Sequence, residues 1–201
     1  MPRKQPTERP VLSPAEVELI AAACASTRDQ VLIRLLAYGG LRIGEAFALQ
    51  WPSIDVAGRT VTVRESVASS NGPPRLGSTK TYATRTIDIP AKLAAQLSAL
   101  RNSAKSDLVF PNRQGAPLRY RNWRRDTWDP ATSKAGLLVL PHDLRATCAS
   151  LLIDAGASPK DVQAHLGHED ITTTLQLYAR VRPRRSADLA SKLDALIAEV
   201  D

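Results

Sequence analysis

The chain has 201 residues, 43% hydrophobic and 23% charged, enough apolar material for one sizeable packed domain. Its formal net charge of +7 points to a polyanionic partner. It has no run of about eighteen apolar residues and no apolar leader-like opening, which argues for an intracellular protein rather than a membrane-spanning or exported one.

Two cysteines, Cys24 and Cys148, lie far apart without CxxC spacing and read as reduced core thiols. Residues 1–10, MPRKQPTERP, carry three prolines and no apolar period, so they read as a flexible arm or the remnant of an interdomain linker. SPAE at Ser13–Glu16 is a capping box with proline at the first helical position, predicting a helix to about Cys24. A second helix is expected over Asp29–Tyr38, stopped by Gly39 and Gly40, and a third from near Leu41 with Arg42 in its first turn.

After Trp51-Pro52 the period changes. TVTVRESV (Thr60–Val67) and TRTIDIP (Thr84–Pro90) alternate in the manner of half-buried strands, with a loop rich in turn residues between them. Helices are then predicted over Ala91–Leu100, Tyr120–Ala135, His142–Ala155, Pro159–Leu166 behind a Ser158 cap, and Ile171–Tyr178. Residues 186–201 place Leu189, Leu193, Leu196, Ile197 and Val200 on one face of a terminal amphipathic helix. The expected fold is mainly α with one small antiparallel sheet.

Several residues could do chemistry. In GGLRIGE, Arg42 is placed to bind an anion at a helix start, and Glu45, three residues on, could hold it. In PHDLRAT, His142 and Arg145 share a helix face and combine a proton-exchanging group with a phosphate-binding one. LGH holds His168 in a turn after Gly167, while His165 reads as a helix-surface residue. Lys80, in the loop between the strands, can reach over a bound strand, and Tyr178 is either a half-buried aromatic or a nucleophile. Each has an ordinary structural reading when taken alone. A metal site is disfavoured, because the three histidines lack the cysteine or carboxylate neighbours of a tetrahedral set. GSTK lacks the GxxxxGK pattern of a phosphate loop, and no GxSxG is present.

In combination, the ordered set Arg42, Lys80, His142-x-x-Arg145, LGH and Tyr178 resembles the tyrosine recombinases, also called phage integrases. The stretches that carry the resemblance are YGGLRIGEAFAL, the lysine of GSTKTYATRTIDIP, HDLRATCASLLIDAG and HLGHEDITTTLQLYARV. A phage or prophage integrase of a high-GC bacterium is the nearest likeness, given 20 arginines against 7 lysines. The resemblance implies a recombinase catalytic-domain fold over residues 11–185 and a bacterial cytoplasmic, nucleoid-associated protein. It implies metal-independent DNA cleavage and rejoining through a 3′-phosphotyrosine, with no cofactor.

By the same resemblance Tyr178 is the nucleophile, and Arg42 and Arg145 clamp the phosphate. Lys80 is the general acid, His142 the general base, His168 a hydrogen-bond donor to the phosphate and Glu45 a support behind Arg42. The implied partners are double-stranded DNA at an attachment or recombination site and further copies of the chain. The chain would be a monomer free in solution and a homo-tetramer on synapsed DNA, with accessory DNA-bending or directionality proteins and no membrane. The terminal helix would cap its own domain or dock on a neighbouring protomer. Ala146 and Gly44 depart from residues frequent in relatives, histidine and serine respectively. Only about ten residues precede the catalytic domain, where relatives carry a further DNA-binding domain, so the isolated chain is expected to bind DNA weakly. Type IB topoisomerase-like relaxation, a non-catalytic DNA-binding module and a metal-dependent nuclease are the competing readings.

Overall fold

The computed structural model describes residues 10–67, 76–78, 84–181 and 197. Helix α1 (Pro14–Ala23) starts at the predicted capping box, with Ser13 and Glu16 satisfying each other's backbone N–H groups. Helix α2 (Thr27–Gly39) is capped by Ser26 and ends at Gly40, whose φ of 67° turns the chain out of the helix. Val31, Leu32, Ile33, Leu35, Leu36 and Ala37 are all at most 1% exposed, so α2 is buried nearly all round. Helices α1, α4 (Ala91–Arg101) and α7 (Asp143–Asp154) pack around it. Complete burial of each Val, Leu or Ile among them is worth roughly 1.5–3 kcal/mol, which makes α2 the axis of the main core.

Helix α3 (Ile43–Ala48) leads through Trp51–Ser53, a single 3₁₀ turn, into the sheet. The order is β1 (Ile54–Asp55), β2 (Thr60–Val63), β5 (Arg85–Asp88), all antiparallel, with Val61 opposite Ile87. Two expectations need correction here. Thr60–Val67 is not one strand: β2 ends at Val63, and β3 (Glu65–Val67) pairs instead with β4 (Leu76–Ser78). The segment expected to be all loop therefore contributes a strand. Alternation alone could not reveal this, because Val61, Val63 and Val67 keep the same inward phase across the change of partner.

The helix expected over Tyr120–Ala135 is also more complex. It comprises α5 (Tyr120–Trp123), a π-helical turn (Arg124–Trp128) and α6 (Asp129–Lys134). Pro130 has no N–H to continue the α ladder, and the widened turn lets the Asp129 N–H bond the Arg124 carbonyl instead. Trp123, just before it, and Trp128, its last residue, pack with Phe47 in the core.

Helices α7, α8 (Pro159–Leu166) and α9 (Ile171–Val181) close a second, smaller core of Cys148, Ala149, Ile153, Val162 and Leu166. The two cysteines are free and buried. No described helix is long and apolar enough to cross a membrane. The predicted flexible arm, apart from Pro10, and the predicted terminal helix, apart from exposed Ile197, lie outside the described residues.

Candidate active site

The site forms where three chain turns meet: the end of α2, the start of α3 and the end of α8. Arg42 does not lie in the first turn of α3, as expected, but at its N-cap in extended conformation. That placement leaves its backbone N–H free to donate to Glu45 Oε2 at 2.8 Å, while its Nη1 donates to Oε1 at 2.9 Å. Its Nη2 donates to the Gly167 carbonyl at 3.0 Å, so Arg42 also holds the LGH turn. Its side chain remains 35% exposed.

Glu45 is a buried carboxylate. Burial alone pushes its pKa up, but the hydrogen bonds and charge of Arg85 and the bonds from Arg42 outweigh it and hold the group below the usual carboxylate range. Arg145, in the first turn of α7, is buried with both terminal nitrogens on backbone carbonyls, Gly40 O and Leu166 O. Those carbonyls end α2 and α8 and have no intrahelical partner, so one guanidinium caps two helices. Burial, then the charge of Arg42, push Arg145 down to about 9, which still leaves it cationic at neutral pH. Three guanidiniums, those of Arg42, Arg85 and Arg145, surround the single Glu45 carboxylate, and the cluster is net positive.

The LGH turn is fixed by backbone geometry. Gly167 adopts φ 65° as the C-cap of α8, and Gln163 clamps the turn from both sides, accepting from His168 N and donating to His168 O. His168 Nδ1 shares a 2.9 Å hydrogen bond with Thr174 Oγ1, a fully buried hydroxyl on α9. Burial first, then Arg145, Arg42, Arg85 and His142, push the His168 pKa down to about 4. The imidazole is therefore neutral at pH 7 and works as a hydrogen-bonding group rather than a cation.

A pH consequence follows from linkage. In the unfolded chain the same imidazole takes a proton near the ordinary value of about 6.5, so the unfolded state binds more protons between there and about pH 4. The His168 contribution to stability is complete above the unfolded value and is lost as the pH falls through that window. His165, also depressed by burial, acts in the same direction. Histidine ¹H–¹⁵N titration should find His168 neutral at pH 6; a midpoint at or above that pH contradicts this account.

His142 is the exposed N-cap of α7 rather than its first helical residue, and it stands close enough to His168 to disfavour protonation there. His165 is corrected from a helix-surface residue: it is part-buried, and its Nε2 donates to the Gly39 carbonyl at 3.2 Å. Tyr178 lies one helical turn after Thr174 on α9. Its ring packs against the second core, and its hydroxyl donates to the Ala157 carbonyl at 3.1 Å. Lys80 lies outside the described residues.

The structure thus brings together Arg42, Glu45, Arg145, His142 and His168, and it joins Tyr178 to them only through its helix. Sequence reasoning missed Arg85, Thr174 and the role of His165. Arg85 did leave a signal: in TRTIDIP it shares the inward phase with Ile87 and Ile89, and a cation on an apolar strand face needs a buried partner. Among the described residues no three His, Cys, Asp or Glu side chains stand together as a metal-ligand set.

Comparison with known proteins places the chain. The family described as "Phage integrase family" matches residues 10–185. The chain is 30% identical over 158 residues to tyrosine recombinase XerC of Bacillus subtilis, an alignment covering 78% of this chain and 50% of that protein. It is 26% identical over 181 residues to the integrase of Staphylococcus phage L54a, covering 82% and 51% respectively. The chain therefore spans about half the length of these relatives. Among solved structures it matches the catalytic domain of bacteriophage HP1 integrase, with a TM-score of 0.66 at 20% identity over 92% of this chain and 95% of that one. It also matches the Tn1549 transposon integrase in complex with circular intermediate DNA, with a TM-score of 0.81 at 22% identity over 96% and 69%. The mainly α fold with its small antiparallel sheet is that of a tyrosine recombinase catalytic domain, and the chain belongs to the phage integrase family.

Proposed function

We propose that this chain is the catalytic domain of a site-specific DNA recombinase that cleaves and rejoins double-stranded DNA without metal or cofactor. The observation that carries the reading is the convergence of Arg42, Arg145 and neutral His168 on one turn, backed by buried Glu45. A phosphodiester undergoing attack spreads negative charge over its non-bridging oxygens, and two fixed guanidiniums with a hydrogen-bond donor stabilise that charge. Guanidiniums suit the task because they stay charged and present several donors in a planar fork.

In this reading Tyr178 is the nucleophile. Its oxygen bonds to the scissile phosphorus as the bond to the 5′-oxygen breaks, giving a 3′-phosphotyrosine and a 5′-hydroxyl. The tyrosine proton passes to His142, and Lys80 supplies the proton taken up by the leaving 5′-oxygen. Reversal rejoins the strand, since the phosphotyrosine conserves the phosphodiester bond. The hydroxyl must first leave the Ala157 carbonyl before it can attack. For a donor to the phosphate, the His168 tautomer must carry its proton on Nε2, which requires Thr174 to donate to Nδ1. The DNA complex of the Tn1549 integrase supports double-stranded DNA as the partner. A homo-tetramer on synapsed DNA extends the same reading.

The test is adduct formation on a nicked suicide duplex in EDTA. The expected result is a protein–DNA link that survives SDS and maps by peptide sequencing to Tyr178. A chain that binds the duplex yet forms no adduct, or forms one only with added metal, overturns the reading.

A further inference from the structure

We propose that Arg85 is a positioning residue of this site, whose forked guanidinium fixes the Glu45 carboxylate so that Glu45 can present Arg42 to the phosphate. As far as it concerns DNA cleavage, this rests on the recombinase reading above.

The hydrogen-bond inventory of Glu45 carries the argument. A carboxylate offers about four lone-pair sites. Arg42 Nη1 and Arg85 Nη1 share Oε1, at 2.9 and 3.0 Å. The Arg42 backbone N–H and Arg85 Nη2 share Oε2, at 2.8 and 2.6 Å. Arg85 therefore supplies half of what holds this buried anion, and it does so as an end-on bidentate fork through Nη1 and Nη2, which fixes orientation as well as charge.

The rest of the Arg85 guanidinium is also committed. Its Nε donates to the His165 carbonyl at 3.2 Å, one of the last carbonyls of α8. Its Cδ stands 2.9 Å from where a Cβ on Gly167 would sit, so the side chain lies against the LGH turn. Each Arg85 nitrogen donates to a protein acceptor and the side chain is only 11% exposed, so its fork is committed to Glu45 and the LGH turn. Arg42, at 35%, faces outward. One arginine is structural to the other.

Without the Arg85 fork, two lone-pair sites of a buried carboxylate stand empty, and Arg42 is the neighbouring cation able to fill them. Its Nη2 would then move from Gly167 O to Glu45 Oε2, turning the guanidinium inward and releasing the turn that bears His168. Misplacing a phosphate-binding group by about 1 Å can cost about 10²-fold in the chemical step.

The experiment compares Arg85→Lys and Arg85→Met, in wild-type and Glu45→Gln backgrounds, after thermal melts confirm folding. Arg85→Lys keeps the charge but not the fork, so it serves if the methionine variant does not fold. Single-turnover cleavage at saturating duplex should fall about 10²-fold, with duplex affinity within about threefold of wild type. In the Glu45→Gln background the same change at Arg85 should have little further effect, because the residue acts through Glu45. Independent, multiplying effects overturn the proposal. A second readout needs no activity: the ¹⁵N guanidinium signals of Arg42 should shift in Arg85→Lys, and unchanged signals overturn the proposal too. If wild type gives no adduct, the recombinase reading fails, while the Arg42 signals still decide whether Arg85 positions that side chain.

Discussion

Tyr178→Phe should abolish the covalent protein–DNA adduct while leaving the fold almost intact. The phenyl ring keeps the packing against the second core, where Tyr178 meets the cluster of Cys148, Ile153, Val162 and Leu166. What is lost is one hydrogen bond, from the hydroxyl to the Ala157 carbonyl. Such a bond contributes a net of about 0.5–1.5 kcal/mol, and Ala157 is partly exposed, so water can take the vacated carbonyl. The catalytic loss is of another order, because the phosphotyrosine cannot form without the phenolic oxygen, and no hydrogen-bonding group of the site replaces it as a nucleophile. Chemical denaturation alongside the suicide-duplex assay separates the two effects. A surviving adduct in the phenylalanine variant would reassign the nucleophile, and a collapse in stability would make Tyr178 chiefly a core residue.

The largest expected loss of stability from a single methyl group is at Gly40. Its φ of 67° and ψ of 20° lie in the left-handed region, where an L side chain costs about 1–2 kcal/mol. An added Cβ would also stand 2.5 Å from Leu166 Cδ2 and 2.9 Å from Cys148 Sγ. Both neighbours are at most 1% exposed and packed in the second core, so neither can swing into solvent. Overpacking of this kind costs about 1–3 kcal/mol, which brings the expected penalty for Gly40→Ala to about 2–5 kcal/mol. The site should suffer with the fold, since the Gly40 carbonyl is one of the two that Arg145 holds. Urea unfolding of the variant against wild type measures the penalty. A midpoint unchanged from wild type would mean that the α2 terminus and Leu166 rearrange at no cost, and the rigid junction described here would not exist.

That junction shows how far the sequence reaches. The helix starts at Ser13 and Ser158 and the stops at Gly40 and Gly167 were legible, because a cap is satisfied within four residues of itself. The Arg42–Glu45 pair was legible for the same reason, as an i,i+3 contact at a helix start. The inventory of chemistry-bearing residues, read through their order along the chain, was enough to recognise the family.

The tertiary structure decided what each of those groups touches. Arg145 reaches carbonyls at Gly40 and Leu166, far from it in the chain, and nothing in HDLRAT names them. Tyr178 donates to Ala157, and His165 turns from a surface position to hold Gly39, through contacts that exist only once α2, α7, α8 and α9 have packed. Arg85 belongs to the site because β5 lies against α8, whereas its strand pattern shows only that a cation faces inward. Local order comes from backbone hydrogen bonds within a turn and from side-chain period, and both are written in consecutive residues. The site's geometry comes from buried polar groups finding partners across separate elements, and which partners they find is fixed only when the two cores close around them.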